Sequence, residues 1–162
     1  MMYYSASMNT LDESLMNAVK EGKLLDSSRT NIRLLLDGTK SPIAREAVEE
    51  LAAAGEWQEL NDRFYKTLAF GTGGLRGRTI GSIVTRAEQG NGGVNGRPEY
   101  PCVGTACMNY FNVGRAMRGL IIYVNKHVEA TDPGRKPRLV IGHDTRHFSR
   151  DFAEFCAKIG TD

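Results

Sequence analysis

The sequence predicts an α/β protein: a truncated domain with a mixed sheet and flanking helices, preceded by a helical extension. Three observations predict it. Apolar residues recur at three- and four-residue spacing through the first 66 positions, the period of helices with one buried face. The second half gives a long helical pattern, a short apolar run ending in glycine, and another helical pattern, which is the order of an α/β unit. Between the halves lies a stretch rich in glycine and arginine, residues 68–78. The expected domains are a helical extension over 1–66 and an incomplete α/β domain over 67–162.

In chain order, residues 10–22 predict a helix. Thr10 and Glu13 have the spacing of a capping box, Leu11, Leu15, Ala18 and Val19 share a face, and Gly22 is the stop. A short helix follows from Ser28 to Asp37, with Ile32, Leu35 and Leu36 inward. Ser41-Pro42 starts a third, serine as N-cap and proline at the first helical position, with Ile43, Ala47, Val48 and Leu51 as its stripe. Trp57, Leu60, Phe64 and Leu68 mark a fourth, which leads into the glycine stretch. Residues 78–85 are β-branched around Gly81-Ser82 and predict short strands about a turn. Residues 87–106 are rich in Gly, Asn and Pro and predict a long mobile loop. Tyr110, Val113, Met117, Leu120, Ile121, Val124 and Val128 define a long helix within 107–128. Asp132-Pro133-Gly134 is a turn, and Arg138-Leu139-Val140-Ile141-Gly142 reads as a buried strand. Phe148, Phe152, Phe155, Cys156 and Ile159 mark a last helix. A parallel unit needs that helix to cross back to another strand, so the domain is expected to be cut at Asp162.

Composition narrows the function classes. A net charge of +2 gives no nucleic-acid footprint, and no apolar run approaches the roughly 20 residues of a membrane span. The start, Met1 to Ala6, lacks the basic-then-apolar order of a signal peptide. Cys102, Cys107 and Cys156 form no C-x-x-C pair, and this odd count without metal spacing fits reduced cytoplasmic thiols.

The first candidate site is Phe70-Gly71-Thr72-Gly73-Gly74-Leu75-Arg76-Gly77-Arg78. Glycines let main-chain N–H groups approach one anion, and arginine adds a two-pronged charged contact. A tight turn with solvated arginines fits the same residues. Rossmann and Walker loops are excluded: Arg76 occupies the third glycine position of G-x-G-x-x-G, and no Gly-Lys-Ser/Thr occurs. The second candidate is His143-Asp144-Thr145-Arg146-His147, after the expected strand, where ligands of open α/β sheets gather. Asp144 and Arg146 are site residues there, or an ion pair that orders the turn. The histidine spacing mimics H-E-x-x-H, but His143 falls at a strand exit, not on one helix with His147. Ser149 reads as a helix cap rather than a nucleophile.

Phe70 to Gly77, followed by Val140-Ile141-Gly142-His143-Asp144-Thr145-Arg146, resembles the start of the α-D-phosphohexomutase superfamily, in its phosphoglucomutase/phosphomannomutase branch with phosphopentomutases. Glu59-Leu60-Asn61-Asp62-Arg63-Phe64 resembles that branch's helical lead-in, and the likeness covers residues 37–160 apart from the 87–106 loop. The resemblance implies an intramolecular phosphotransferase acting on hexose or pentose phosphates, with four domains around one cleft. In such enzymes a phosphoserine donates the phosphoryl group and Mg²⁺ sits on a D-x-D-x-D loop. It implies a phosphate cleft formed by Thr72, Gly73, Gly74 and Arg76 and supported by Asp144 and Arg146. The family's T-A-S-H-N-P and D-x-D-x-D segments do not occur in these residues, so no catalytic residue and no metal ligand is assigned and the chain alone is expected to be inactive. The expected partner is a phosphorylated sugar, with no nucleic acid and no membrane. The alternative is a non-catalytic α/β module that binds a phosphorylated ligand or a protein.

Overall fold

The computed structural model describes residues 2–161. Met1 and Asp162 lie outside them, and so does the chain end from which a cut domain is expected. The described residues are all-helical, with no strand and no sheet, which overturns the α/β expectation. The helices are α1 (Met2–Lys20), α2 (Asp26–Gly38), α3 (Pro42–Ala53), α4 (Trp57–Phe64), α5 (Arg86–Gln89), α6 (Tyr110–Thr131) and α7 (Ser149–Thr161), with one 3-10 turn at Val94–Gly96. The chain divides into two compact units, one reaching to Met108 and the other starting at Asn109.

The first unit packs α1 to α4 on the stripes their sequences define. Leu11, Leu15 and Ala18 of α1, Ile32 and Leu35 of α2, Ala47, Val48 and Leu51 of α3, and Leu60 and Phe64 of α4 are all buried. Burying each large side chain contributes about 1.5–3 kcal/mol. Some expected boundaries and caps differ: α2 starts at Asp26 rather than Ser28, and α4 ends at Phe64, short of Leu68. The first helix runs through Thr10, so Thr10 is no cap. Ser41 precedes α3 in extended backbone with Pro42 in the first turn, but its hydroxyl makes no capping bond.

One charge organises the rest of this unit. Arg63, on α4, is fully buried together with Glu59, one turn earlier. Its Nε donates to Glu59 Oε1 at 2.8 Å and its Nη1 to Glu88 Oε1 at 2.6 Å. Nη1 also reaches the Val103 carbonyl at 3.3 Å, and Nη2 donates to the Ile83 carbonyl. Glu88 is held in turn by the Thr85 amide at 3.0 Å, the Thr85 hydroxyl at 2.9 Å and the Val103 amide at 2.7 Å. Thr85 and Glu88 form a reciprocal capping box that opens α5. Burial works against the Arg63 charge, but Cys102, Glu88 and Glu59 outweigh it and hold the guanidinium pKa above its ordinary value.

This cluster bears on two of the expected segments. Residues 78–85 form no strand, because a strand needs a neighbour to complete its ladder, and here the Ile83 carbonyl is taken by Arg63. The 87–106 stretch, expected as a mobile loop, is internally bonded: Tyr100 N donates to Glu88 O at 3.0 Å and Gly93 N to Arg97 O at 2.7 Å. Its end, Cys102 to Thr105, is buried.

The second unit is an α6–α7 pair. The Tyr110 ring meets Phe152 and Phe155 edge-on, at centroid distances of 5.3 and 5.1 Å. The expected buried strand at 138–142 is absent, and Val140 is 100% exposed. Leu139 and Ile141 line a shallow cavity with Met117, Ile121 and Val124 of α6 and Ala157 of α7. The two-residue alternation survives without a ladder, since no second strand pairs with this run among the described residues.

Arg63→Met should destabilise the protein by about 3–5 kcal/mol, because Glu88 would stay buried without a countercharge and Glu59 would keep Arg78 alone. Gly104→Ala should cost about 1–3 kcal/mol, because the new Cβ would stand 2.6 Å from the Arg63 carbonyl oxygen. Urea unfolding checks both, and wild-type midpoints in the two variants would contradict the central role of Arg63.

Candidate functional site

Thr72, Gly73, Gly74 and Arg76 belong to the first unit, and Asp144 and Arg146 to the second. Each set forms a local structure of its own.

The glycine stretch leaves α4 at Phe64 and closes into a two-residue turn. Gly71 N donates to Gly74 O at 3.2 Å, and Gly74 N returns the bond to Gly71 O at 3.1 Å. Thr72 and Gly73 form the exposed tip. Gly74 has φ +96°, a conformation that side chains other than glycine's rarely allow. Both ends of the stretch are pinned by residues 105–108. Leu68 N donates to Thr105 O at 2.7 Å, and Met108 N donates to Arg78 O at 2.9 Å. The Thr105 hydroxyl adds a bond to the Lys66 carbonyl at 2.8 Å.

The two arginines of the stretch are used differently. Arg78 turns inward, with Nη2 3.2 Å from Glu59 Oε1 and Nη1 donating to Ser82 Oγ at 2.9 Å. Burial opposes its charge, but Glu59 and the two thiols of Cys102 and Cys107 keep its pKa raised. Arg76 is exposed and folds over the turn so closely that a Cβ at Gly73 would collide with its Nη2. It makes no hydrogen bond or ion pair with the described residues. Phe70, at the entry to the turn, is 81% exposed.

A charge pattern accounts for the unpaired arginine. No Asp or Glu occurs between Asp62 and Glu88, while Arg63, Lys66, Arg76, Arg78 and Arg86 all fall there. Arg63 and Arg78 draw on Glu59 and Glu88, and Arg86 lies 3.5 Å from Glu50. Lys66 stands over the Tyr65 ring at 4.9 Å. Arg76 is left facing solvent. Such an arrangement attracts anions, and the guanidinium fork is the group to bind them, since the Gly71 and Gly74 amides are bonded to each other across the turn. This acid-free span is visible in the sequence and is a stronger signal than the glycine count.

In the second unit, Asp144 and Arg146 satisfy each other. Arg146 Nη2 lies 2.6 Å from Asp144 Oδ2, its Nε donates to the same oxygen at 2.8 Å, and its amide donates to Oδ1 at 3.0 Å. Asp144 N donates to Ser149 Oγ at 3.1 Å. Ser149 is the first residue of α7, not its cap, and its hydroxyl serves the preceding turn. The bonds from Arg146 hold the Asp144 carboxyl far below its ordinary range. His143 Nδ1 lies 3.2 Å from the Asp144 carbonyl. Among the described residues no three Asp, Glu, His or Cys side chains gather as a cation site, and the residues present do not fit the magnesium loop that the resemblance implies.

No family model, no curated protein and no solved structure matches this chain.

The Asp144 carboxyl should titrate well below a model aspartate, and Arg146→Ala should bring it back toward the ordinary value. A depressed folded-state pKa means that the order it gives the turn is complete above the ordinary carboxylate range. That order is lost as pH falls through the depressed value. Carboxyl ¹³C shifts followed through acid titration check this, and an ordinary Asp144 midpoint in the wild type would contradict it.

Proposed function

We propose that residues 70–77 bind the phosphate of a phosphorylated sugar, as one wall of the cleft of a cytoplasmic phosphosugar mutase. The observation that carries the reading is Arg76, an exposed guanidinium with no protein acceptor, folded over a glycine turn. A phosphate supplies the acceptors that Arg76 lacks, and two parallel bonds to it fix its orientation. Thr72 adds a hydroxyl at the tip, and exposed Phe70 offers an apolar surface for a sugar ring. The pinned ends at Leu68 and Arg78 support the reading too, because a loop already held in place loses little freedom on binding. Asp144 and Arg146 take a lesser part: they order the turn before α7, and their charges largely cancel. The resemblance of Phe70 to Gly77 and of Gly142 to Arg146 to phosphohexomutase motifs supplies the substrate class. Within these residues no phosphoserine segment and no D-x-D-x-D loop occurs, so the proposed role is binding without turnover.

Titrating the full chain with inorganic phosphate and with glucose 1-phosphate should move the amide resonances of 71–77. Arg76→Ala should weaken binding about ten- to a hundredfold, the worth of a hydrogen bond to a charged group, with an unchanged melting temperature. Arg76→Lys should recover part of it, since lysine keeps the charge and loses the fork. Equal affinity in wild type and Arg76→Ala would overturn the site. A coupled mutase assay should read no turnover, and measurable turnover would overturn the assignment of binding alone.

A further inference from the structure

We propose that Cys102 and Cys107 form a peroxide-oxidisable dithiol, a modification site that closes to an intrachain disulfide. The two sulfurs lie 3.0 Å apart, both buried, at the ends of the segment Cys102-Val103-Gly104-Thr105-Ala106-Cys107. A disulfide needs about 2.05 Å between sulfurs, so closure asks for a movement of about 1 Å. The segment is already bent back on itself. Cys107 N donates to Gly104 O at 3.4 Å, and Ala106 N donates to Arg63 O at 2.9 Å. Gly104 lies against Arg63 with no room for a side chain.

The surroundings give the two thiols different roles. The hydrogen bond between the two thiols lowers the Cys107 pKa, and the charges of Arg63 and Arg78 lower it further against the effect of its burial. The same bond, together with burial, pushes Cys102 up. The hydrogen bond from the Arg78 guanidinium to Cys107 favours its thiolate, which makes Cys107 the nucleophile and Cys102 the resolving thiol. Cys156, on α7, has only burial acting on it, which raises its pKa.

The oxidant is hydrogen peroxide, small enough to reach a buried sulfur through local opening. The Cys107 thiolate attacks one peroxide oxygen, an S–O bond forms, the O–O bond breaks, and the hydroxide released takes up the proton that Cys107 lost. Cys102 then gives up its proton and attacks the Cys107 sulfur. The S–S bond forms, the S–O bond breaks, and the departing hydroxide leaves as water. Two thiols and one peroxide become one disulfide and two waters, the sulfurs losing the two electrons that the peroxide gains.

The test uses the full chain with limiting hydrogen peroxide, quenching by N-ethylmaleimide and mass spectrometry. The tryptic peptide 87–115, which carries both thiols, should lose two hydrogens before Cys156 is oxidised, and dithiothreitol should restore it. Cys102→Ser should leave Cys107 as a sulfenic acid captured by dimedone, while Cys107→Ser should lose that capture. Earlier oxidation of Cys156, or equal dimedone labelling in the two variants, would overturn the proposal. A measurement on the wild type stands apart from the folding of either variant. Phenylarsine oxide, which bridges two close thiols, should block maleimide at Cys102 and Cys107 together. Maleimide labelling of both in its presence would overturn the proposal as well.

Discussion

A buried guanidinium governs the first unit. Removing a charge the size of Arg63 from water costs several kcal/mol even after the protein relaxes, and that cost is offset only if its donors meet well-placed acceptors. The acceptors come from four places in the chain: Glu59 on the same helix, the Ile83 carbonyl, Glu88 on α5 and the Val103 carbonyl. The Ile83 and Val103 carbonyls belong to segments that have no regular structure to hold them, and Glu88 to a helix of four residues. The stretch between α4 and α6 contains no strand, one short α-helix and one 3-10 turn, yet its end at 101–105 is buried. A side chain with five N–H donors in a rigid fork replaces the hydrogen-bond ladder such a stretch would otherwise need. An apolar residue of the same size would fill the space and leave the Ile83 and Val103 carbonyls without these donors.

The glycine turn inherits its position from this cluster. Ala106 N is bonded to the carbonyl of Arg63 itself, and the neighbouring Thr105 and Met108 hold the two ends of the 68–78 stretch. The tip is exposed and its base is fixed to the most buried part of the unit. Rigid support under an exposed binding group is what lowers the entropy lost on association.

Much of the helical structure is legible in the sequence because its signal is local. Three- and four-residue spacing in Leu11, Leu15 and Ala18, or in Leu60 and Phe64, reports a buried face wherever that face points. Strands are another matter, since their existence depends on a partner at a distance. Leu139, Val140 and Ile141 have strand composition and keep the alternation, but the described residues supply no neighbour. The Arg63–Glu88 pair is silent for the same reason: its members are 25 residues apart and each resembles an ordinary surface charge. Two local clues to it do exist. Thr85-Arg86-Ala87-Glu88 is a capping-box spacing inside what otherwise reads as strand and loop, and Glu59 and Arg63 are one helical turn apart beside the apolar pair Leu60 and Phe64. Of the candidate site, the glycine turn is visible in composition, whereas the different fates of Arg76 and Arg78 depend on where Glu59 lies.

That difference follows from a shortage of acids. Three carboxylates, Glu50, Glu59 and Glu88, serve the arginines between Asp62 and Glu88, and two of the three are buried. A buried carboxylate cannot remain unpaired, so Arg63 and Arg78 are drawn inward to Glu59 and Glu88. The turn residues contain no acid of their own, and Arg76 gains nothing by turning toward a cluster whose acceptors are taken. The same electrostatics that settles the interior therefore leaves Arg76 outside it. In the proposed reading the acceptor that completes it is a phosphate, which has more oxygens than any carboxylate in the chain.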